Sequence, residues 1–280
     1  MVVKIVTDSL GDIPSELAKE LGIIVVPVNV HFGTQTFRDG VDLTAERFYD
    51  KLVHSKIFPT TTVPSPAVFV SVYDKLAEDT DEIAVITFSR RLGASYDTAV
   101  EAKGLMKRKC RLEVIDSRWV VMAQGLIVIA AAKAAKDGAK LDEVVSLTRR
   151  NIPRADVRMV FDTLEYLNRG GRIGKAHTFL SSVLRVNPVL GIRGGEVYPF
   201  AREHSRTKAI DYLYHFATGF SHVEGMAVED ATTPDEADEL VKRIGSKFPQ
   251  ETIYRTKFGS VVGAHVGPHV LAVSVLGDKR

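Results

Sequence analysis

One cysteine, Cys110, stands in the 280 residues. A single thiol closes no intrachain disulfide and leaves no thiolate-based zinc cluster, which fits a reducing compartment and a cytoplasmic protein. Charge of one sign is lacking too: 37 Lys and Arg against 35 Asp and Glu leave +2, so bulk charge makes no case for nucleic acid. No apolar run is long enough to cross a bilayer. The most apolar segment, from Trp119, reaches Lys133 after about 14 residues, short of the roughly 20 a spanning helix needs. It reads instead as a buried helix. The opening MVVKIVTDS reads as a strand, without the apolar stretch of a signal peptide.

Catalytic signatures are also missing. There is no G-x-S-x-G, no H-E-x-x-H and no G-x-G-x-x-G, and the eight histidines are scattered. RGGRIGKA (169–176) approaches a phosphate loop but fails it. Arg169 holds the first glycine position and Ala176 the position of the magnesium-binding hydroxyl. No nucleophile–base pair, catalytic residue or metal set emerges, and no cofactor is called for. The segments MKRKCR (106–111) and AREHSRTK (201–208) read first as solvated basic faces, with an acidic protein or a phosphate as the other reading.

What is present is ordinary globular composition, 45% apolar and 26% charged, on a chain long enough for two domains. The first half alternates. Strand-like runs at Val3–Thr7, Ile23–Val28, Ile83–Phe88 and Leu112–Ile115 are mostly followed by helical patterns at Pro14–Leu21, Thr44–Val53, Pro66–Ala77, Thr98–Met106 and Val120–Lys136. This predicts an α/β fold with a mostly parallel sheet flanked by helices. NVHFGTQTFRDG reads as a hairpin about Gly33 set into that plan. The second half predicts a hairpin about Gly194-Gly195, strands at Gly225–Val228, Thr252–Thr256 and Val270–Val275, and helices Lys208–Phe220 and Pro234–Phe248. That is a mixed or antiparallel sheet. We therefore expect domains of 1–155 and 156–280.

Hydroxyls and aspartates collect where the parallel strands should end: Thr7, Asp8 and Ser9; Thr87, Ser89 and Ser95; Asp116 and Ser117. Ligands of such sheets bind beyond the carboxyl ends of the strands. The segment FPTTTVPSP (58–66) adds Thr60, Thr61 and Thr62 on a proline-stiffened loop. Ser65 followed by Pro66 marks a helix start, so the threonines precede a helix N-terminus, a place that favours an anion. Uncharged hydroxyl donors suit one carboxylate better than a triphosphate. A plain surface loop and a cap would use the same residues. An enzyme reading, a phosphotransferase using Asp8, Asp116 and GGRIGK, has only these near-matches behind it.

Several segments, KIVTDSLGDIPSELAKELGIIVVPVNV, TTTVPSP, RLGASYDTA, VIDS, LEYLNRGGRI and GAHVGP, follow one another in the order found in the DegV family. The chain resembles that family over nearly its whole length. The resemblance implies a two-domain α/β fold and the non-catalytic binding of one long-chain fatty acid. The tail would lie in an apolar tunnel and the carboxylate near the domain interface. It also implies presentation of that carboxylate to a fatty acid kinase subunit, which makes an acyl phosphate for phospholipid synthesis. By position, the head-group threonine is Thr61, with Thr62 and Val63 where the family has Ser and Gln. The Leu-Ser-Gly-Thr-Tyr motif becomes Leu92-Gly93-Ala94-Ser95-Tyr96, so Gly93 replaces a hydroxyl. The expected carboxylate donors are therefore Thr61, Thr62, Ser95 and the backbone of Gly93 and Ala94, and a serine at 93 is expected to restore a contact and tighten binding. Arg172 and His265 complete the head-group network. Arg202, His204 and Arg206 form a candidate partner surface. A carrier of another apolar carboxylate is the alternative, and membrane contact is expected only transiently, to exchange lipid.

Overall fold

A computed structural model of the chain describes residues 2–180, 186–249 and 252–279. In its first half run β1 (Lys4–Asp8), α1 (Ser15–Glu20), β2 (Ile23–Val26), β3 (Asn29–Phe32), β4 (Gln35–Arg38), α2 (Ala45–His54), β5 (Thr60–Thr62) and α3 (Pro66–Leu76). These are followed by β6 (Glu82–Thr87), α4 (Ser95–Gly104), β7 (Arg111–Asp116), α5 (Val121–Lys136) and α6 (Leu141–Asn151). The remainder comprises β8 (Ala155–Val160), α7 (Glu165–Arg169), β9 (Asn187–Arg193), β10 (Glu196–Glu203), α8 (Arg206–Thr218) and β11 (Phe220–Asp230). It ends with α9 (Pro234–Gly245), β12 (Ile253–Lys257), α10 (Ser260–Val266) and β13 (Leu271–Lys279).

The β-branched runs of the first half pair in parallel in the order β2-β1-β6-β7. All four strands point the same way, so Asp8, Ser89 and Asp116 gather at or just beyond one edge, as the sequence predicts. In the second half the order is β10-β9-β8-β13-β11-β12, antiparallel throughout except for the β11–β12 pair. Gly194 and Gly195 turn β9 into β10 with φ of 62° and 88°, values that favour glycine and suit a two-residue hairpin. The hairpin about Gly33 is also present, as β3 and β4.

One element departs from expectation. Thr60–Thr62 is a strand rather than a loop: β5 adds to the edge of β3, giving a three-stranded sheet β4-β3-β5. Pro59 and Pro64 flank this strand without interrupting it, so no ladder hydrogen bond is lost to them. Thr61 pairs with Val30, and alternation along so short a strand turns Thr61 to one face and Thr60 and Thr62 to the other.

The apolar segment predicted as a buried helix is α5. Among its 16 residues, twelve are buried, from Val121 to Ala135. It packs with Ile5 and Ile23 of the parallel sheet and with Ala227 and Leu276 of the second sheet in one core cluster. A helix apolar all round is what a position between two sheets requires. Among the described residues no helix is long and apolar enough to cross a membrane.

Buried carboxylates tie the elements together. Glu229 of β11 accepts the Met122 N–H at the start of α5 (3.0 Å) and the Ser274 hydroxyl (2.8 Å). Asp8 accepts the N–H groups of Leu10 and Phe88 and the Gln124 side-chain amide. Burial pushes the Asp8 carboxyl up to about 6 and Glu229 up to about 8, against the hydrogen bonds that favour their charged forms. A carboxyl whose folded pKa is raised stabilises the fold fully below its unfolded value and loses that contribution as pH rises through the folded one. Stability should therefore fall between about pH 5 and pH 8 through Glu229. Denaturant unfolding of Glu229→Gln should show a flatter pH dependence over that interval; equal slopes for variant and wild type would remove Glu229 from this role.

Candidate functional site

Between the parallel sheet and the second sheet lies a cavity of about 320 Å³. Its wall is almost wholly apolar: Leu10, Val28, Val63, Phe88, Leu92, Val120, Val121, Met159, Phe161, Leu167, Ile192, Val197, Val261, Val262 and Val266. Polar side chains enter from Thr61, Arg172 and His265, and Thr62, Gly93 and Ala94 also border it. Thr61, Arg172 and His265, read as site residues from the sequence, thus meet at one cavity from three separate elements or loops.

Thr61 sits on β5 with its side chain toward α10. Its hydroxyl is 2.9 Å from His265 Nε2, across 204 residues of sequence. α3 starts at Pro66 with Ser65 as its N-cap residue, as the sequence suggested, although the Ser65 side chain makes no cap hydrogen bond. The other ring nitrogen of His265, Nδ1, is buried without a hydrogen-bond partner. It packs on Gly170, where an added Cβ would lie 2.4 Å from it. Buried N–H groups without acceptors are rare, so the proton is assigned to Nε2, which donates to Thr61. The threonine O–H is then free to donate into the cavity. Burial, helped by the Arg172 guanidinium, pushes His265 down to about 4, so the ring is neutral at pH 7.

Arg172 stands more exposed at the rim. Its Nε donates to the Leu92 carbonyl (3.1 Å) and its Nη1 to the Gly170 carbonyl (2.8 Å). These bonds join the Gly170-Gly171 turn to the β6–α4 loop and orient the guanidinium beside the opening. The phosphate-loop likeness of 169–176 has no structural counterpart, since the segment follows the five-residue α7 and leads into a 3-10 turn at Gly174–Phe179.

Other sequence candidates are placed differently. Thr62 touches the cavity, but its hydroxyl bonds His31 Nε2 (2.8 Å) on the exposed face of the small sheet. Ser95, the first residue of α4, is fully buried, its hydroxyl has no partner, and it is not part of the cavity wall. The β6–α4 loop presents Gly93 and Ala94 to the cavity in front of it. Gly93 does not have a positive φ, so backbone conformation would accept a serine. Space would not: a Cβ at 93 would stand 2.7 and 3.0 Å from two atoms of the Phe88 ring. The expected gain from Gly93→Ser is therefore withdrawn. Asp116 spends one oxygen on the N–H groups of Arg90 and Arg118.

On the candidate partner surface, Arg206 is held by Glu236 (2.6 Å) and Asp162 (3.2 Å). Arg202 donates to the Thr178 carbonyl and lies over the Phe179 ring, 4.0 Å from its centroid. His204 is exposed. Among the described residues no group of three or more His, Cys, Asp or Glu side chains is arranged to hold a metal ion. Sequence reasoning missed the cavity wall, since apolar lining residues look like ordinary core, and missed α10, whose seven residues include one glycine and three valines.

Gly170→Ala tests the packing. Its Cβ would also meet the Tyr166 carbonyl at 3.0 Å, so His265 must swing away. Overpacking of this kind costs about 1–3 kcal/mol. We expect a lower unfolding midpoint and, by NMR titration, a His265 pKa moving up from about 4 toward that of a free imidazole. An unchanged His265 titration would show that Gly170 does not set the ring's position.

Comparison with known proteins accords with this geometry. The family model described as "Uncharacterised protein, DegV family" matches residues 2–278. A DegV domain-containing protein of Caldanaerobacter subterraneus subsp. tengcongensis is 34% identical over 274 residues, 97% of each chain. Among solved structures, a DegV family protein from Thermus thermophilus, described for its fatty acid binding, is 28% identical. It superposes with a TM-score of 0.90, over 99% of this chain and 100% of that one. DegV from Bacillus subtilis, described as a fatty acid binding protein, is 27% identical with a TM-score of 0.91, over 99% and 100% of the two chains. With its family model matched almost from end to end, its relatives covered throughout and its fold shared, this chain belongs to the DegV family.

Proposed function

We propose that the protein binds one long-chain fatty acid without transforming it. The observation that carries this reading is the polarity of the cavity: a long apolar wall with hydroxyl, imidazole and guanidinium groups at one place only. That is the profile of a ligand with one acidic end and a hydrocarbon tail. The fatty-acid-binding descriptions of the Thermus and Bacillus structures support the same reading.

In this reading the Thr61 hydroxyl, its lone pair engaged by His265 Nε2–H, donates to one carboxylate oxygen. The main chain at Gly93 and Ala94 donates beside it. Arg172 supplies positive charge at the rim without entering the apolar part. His265 is a positioning residue: neutral and committed to Thr61, it is poorly suited to act as a general base. Asp8 and Asp116, the carboxylates an enzyme reading would use, are engaged by main-chain N–H groups. Presentation of the carboxylate to a kinase subunit, and so a place in phospholipid synthesis in the cytoplasm, rests on the family resemblance. Arg202 and His204 are the better candidates for that contact, because Arg206 is held by two carboxylates of its own chain.

Lipid extraction of the purified protein with mass spectrometry tests the reading directly; a single co-purifying acyl chain is expected, and recovery of none, with no binding of C14–C18 acids, overturns it. Thr61→Val keeps the shape and removes the donor. A hydrogen bond to a charged group contributes about 1.5–3 kcal/mol, so affinity should fall roughly ten- to a hundredfold while the fold is retained. A change below about twofold would take Thr61 out of the site. Alanine at Arg172 or His265 should lower acyl-phosphate formation in the presence of the kinase more than it lowers ligand binding; equal losses in both would leave those residues a purely structural role.

A further inference from the structure

The Phe88–Gly93 contact reaches beyond the cost of a serine. Phe88 lies just past the end of β6, is 3% exposed, and forms part of the cavity wall. Its ring is so close to Gly93 that a side chain there fits only if the ring shifts. The backbone that carries the ring is held from behind. The Phe88 N–H donates to buried Asp8 (2.9 Å), and the next N–H, of Ser89, donates to the Trp119 carbonyl (2.8 Å). Leu92, beside Gly93, gives its carbonyl to Arg172. The backbone behind the aromatic wall and the anchor of the charged rim therefore belong to one loop.

We propose that Phe88 is a specificity-determining residue that restricts the ligand to acids unsubstituted next to the carboxylate. The inference rests on the fatty-acid reading given above. A carboxylate held at Thr61 and at the Gly93–Ala94 main chain puts the ligand's first methylene groups against the Phe88 ring. Close-packed interiors yield little to an added methyl group. Straight-chain acids fit; 2-methyl acids meet the ring.

The test compares delipidated wild type, Phe88→Leu and Phe88→Val for binding of hexadecanoic acid and 2-methylhexadecanoic acid. One methyl group in an apolar pocket discriminates by about 10- to 200-fold, so the wild type should prefer the straight acid at least tenfold. Phe88→Val should bring the ratio of the two affinities to within about threefold, and Phe88→Leu to an intermediate value. A wild type that does not discriminate, or a ratio that Phe88→Val leaves unchanged, overturns the proposal. If neither acid binds the wild type, the underlying fatty-acid reading fails first, and that is seen before any variant is compared. The steric part has its own readout in the ligand-free protein. Gly93→Ala should lower the melting temperature by several degrees, and adding Phe88→Val should remove most of that loss. Strict additivity of the two substitutions would show that the ring does not crowd position 93.

Discussion

His265 is in place because two carboxylates from the other half of the chain hold the start of its helix. Asp12 accepts the Gly259 N–H at 2.9 Å, and Asp39 accepts both the Ser260 N–H at 2.8 Å and the Ser260 hydroxyl at 2.6 Å. Those amides open α10, and its sixth residue is His265. The first N–H groups of a helix have no partner within it, so carboxylates here satisfy groups that burial would otherwise leave bare. One turn further on, the same helix delivers an imidazole to Thr61. The cavity's polar end is assembled at a junction of segments more than 200 residues apart, and the junction is held by hydrogen bonds to buried carboxyl oxygens.

Such an arrangement has a cost. Burial raises the pKa of Asp12 and Asp39, and the neighbouring carboxylate Glu229 adds to the effect at Asp12. Apolar residues of similar volume would avoid that penalty, but a carboxylate has directional acceptors, and each here meets a particular amide or hydroxyl. The apolar layer supplies adhesion by contrast: α5 is wrapped by both sheets and fixes their separation. Adhesion between the sheets and alignment of the site are thus assigned to different kinds of residue.

Local pattern carried much of this to the reader of the sequence. The alternation of β-branched runs with helical patterns pointed to the parallel sheet, Gly194-Gly195 to the hairpin, and the apolar run after Trp119 to the buried helix. Thr61, Arg172 and His265 were legible through motif order, and they do converge. What stayed hidden depends on partners distant in sequence. Thr60–Thr62 is a strand only because β3 offers it an edge. Phe88 is a wall only because Gly93 lies across from it, and nothing in either residue's neighbourhood distinguishes it from core. Arg206 looked free within its basic run; Glu236 and Asp162, 30 and 44 residues away, hold it. Ser95 shared a motif with Gly93 and Ala94 yet is buried outside the cavity wall.

The edge strand that carries Thr61 is three residues long and hydrogen-bonded to one neighbour. Sliding a strand by one residue exchanges its two faces, and register is least firmly set in a strand that is polar on both sides. In β5 that error would bring Thr60 or Thr62 to the position opposite Val30, and both are threonine. The His31–Thr62 bond would be disturbed, but a hydroxyl would still point toward the cavity. A run of three identical residues thus gives the site redundancy against misalignment: the identity of the donor survives a mistake in its address.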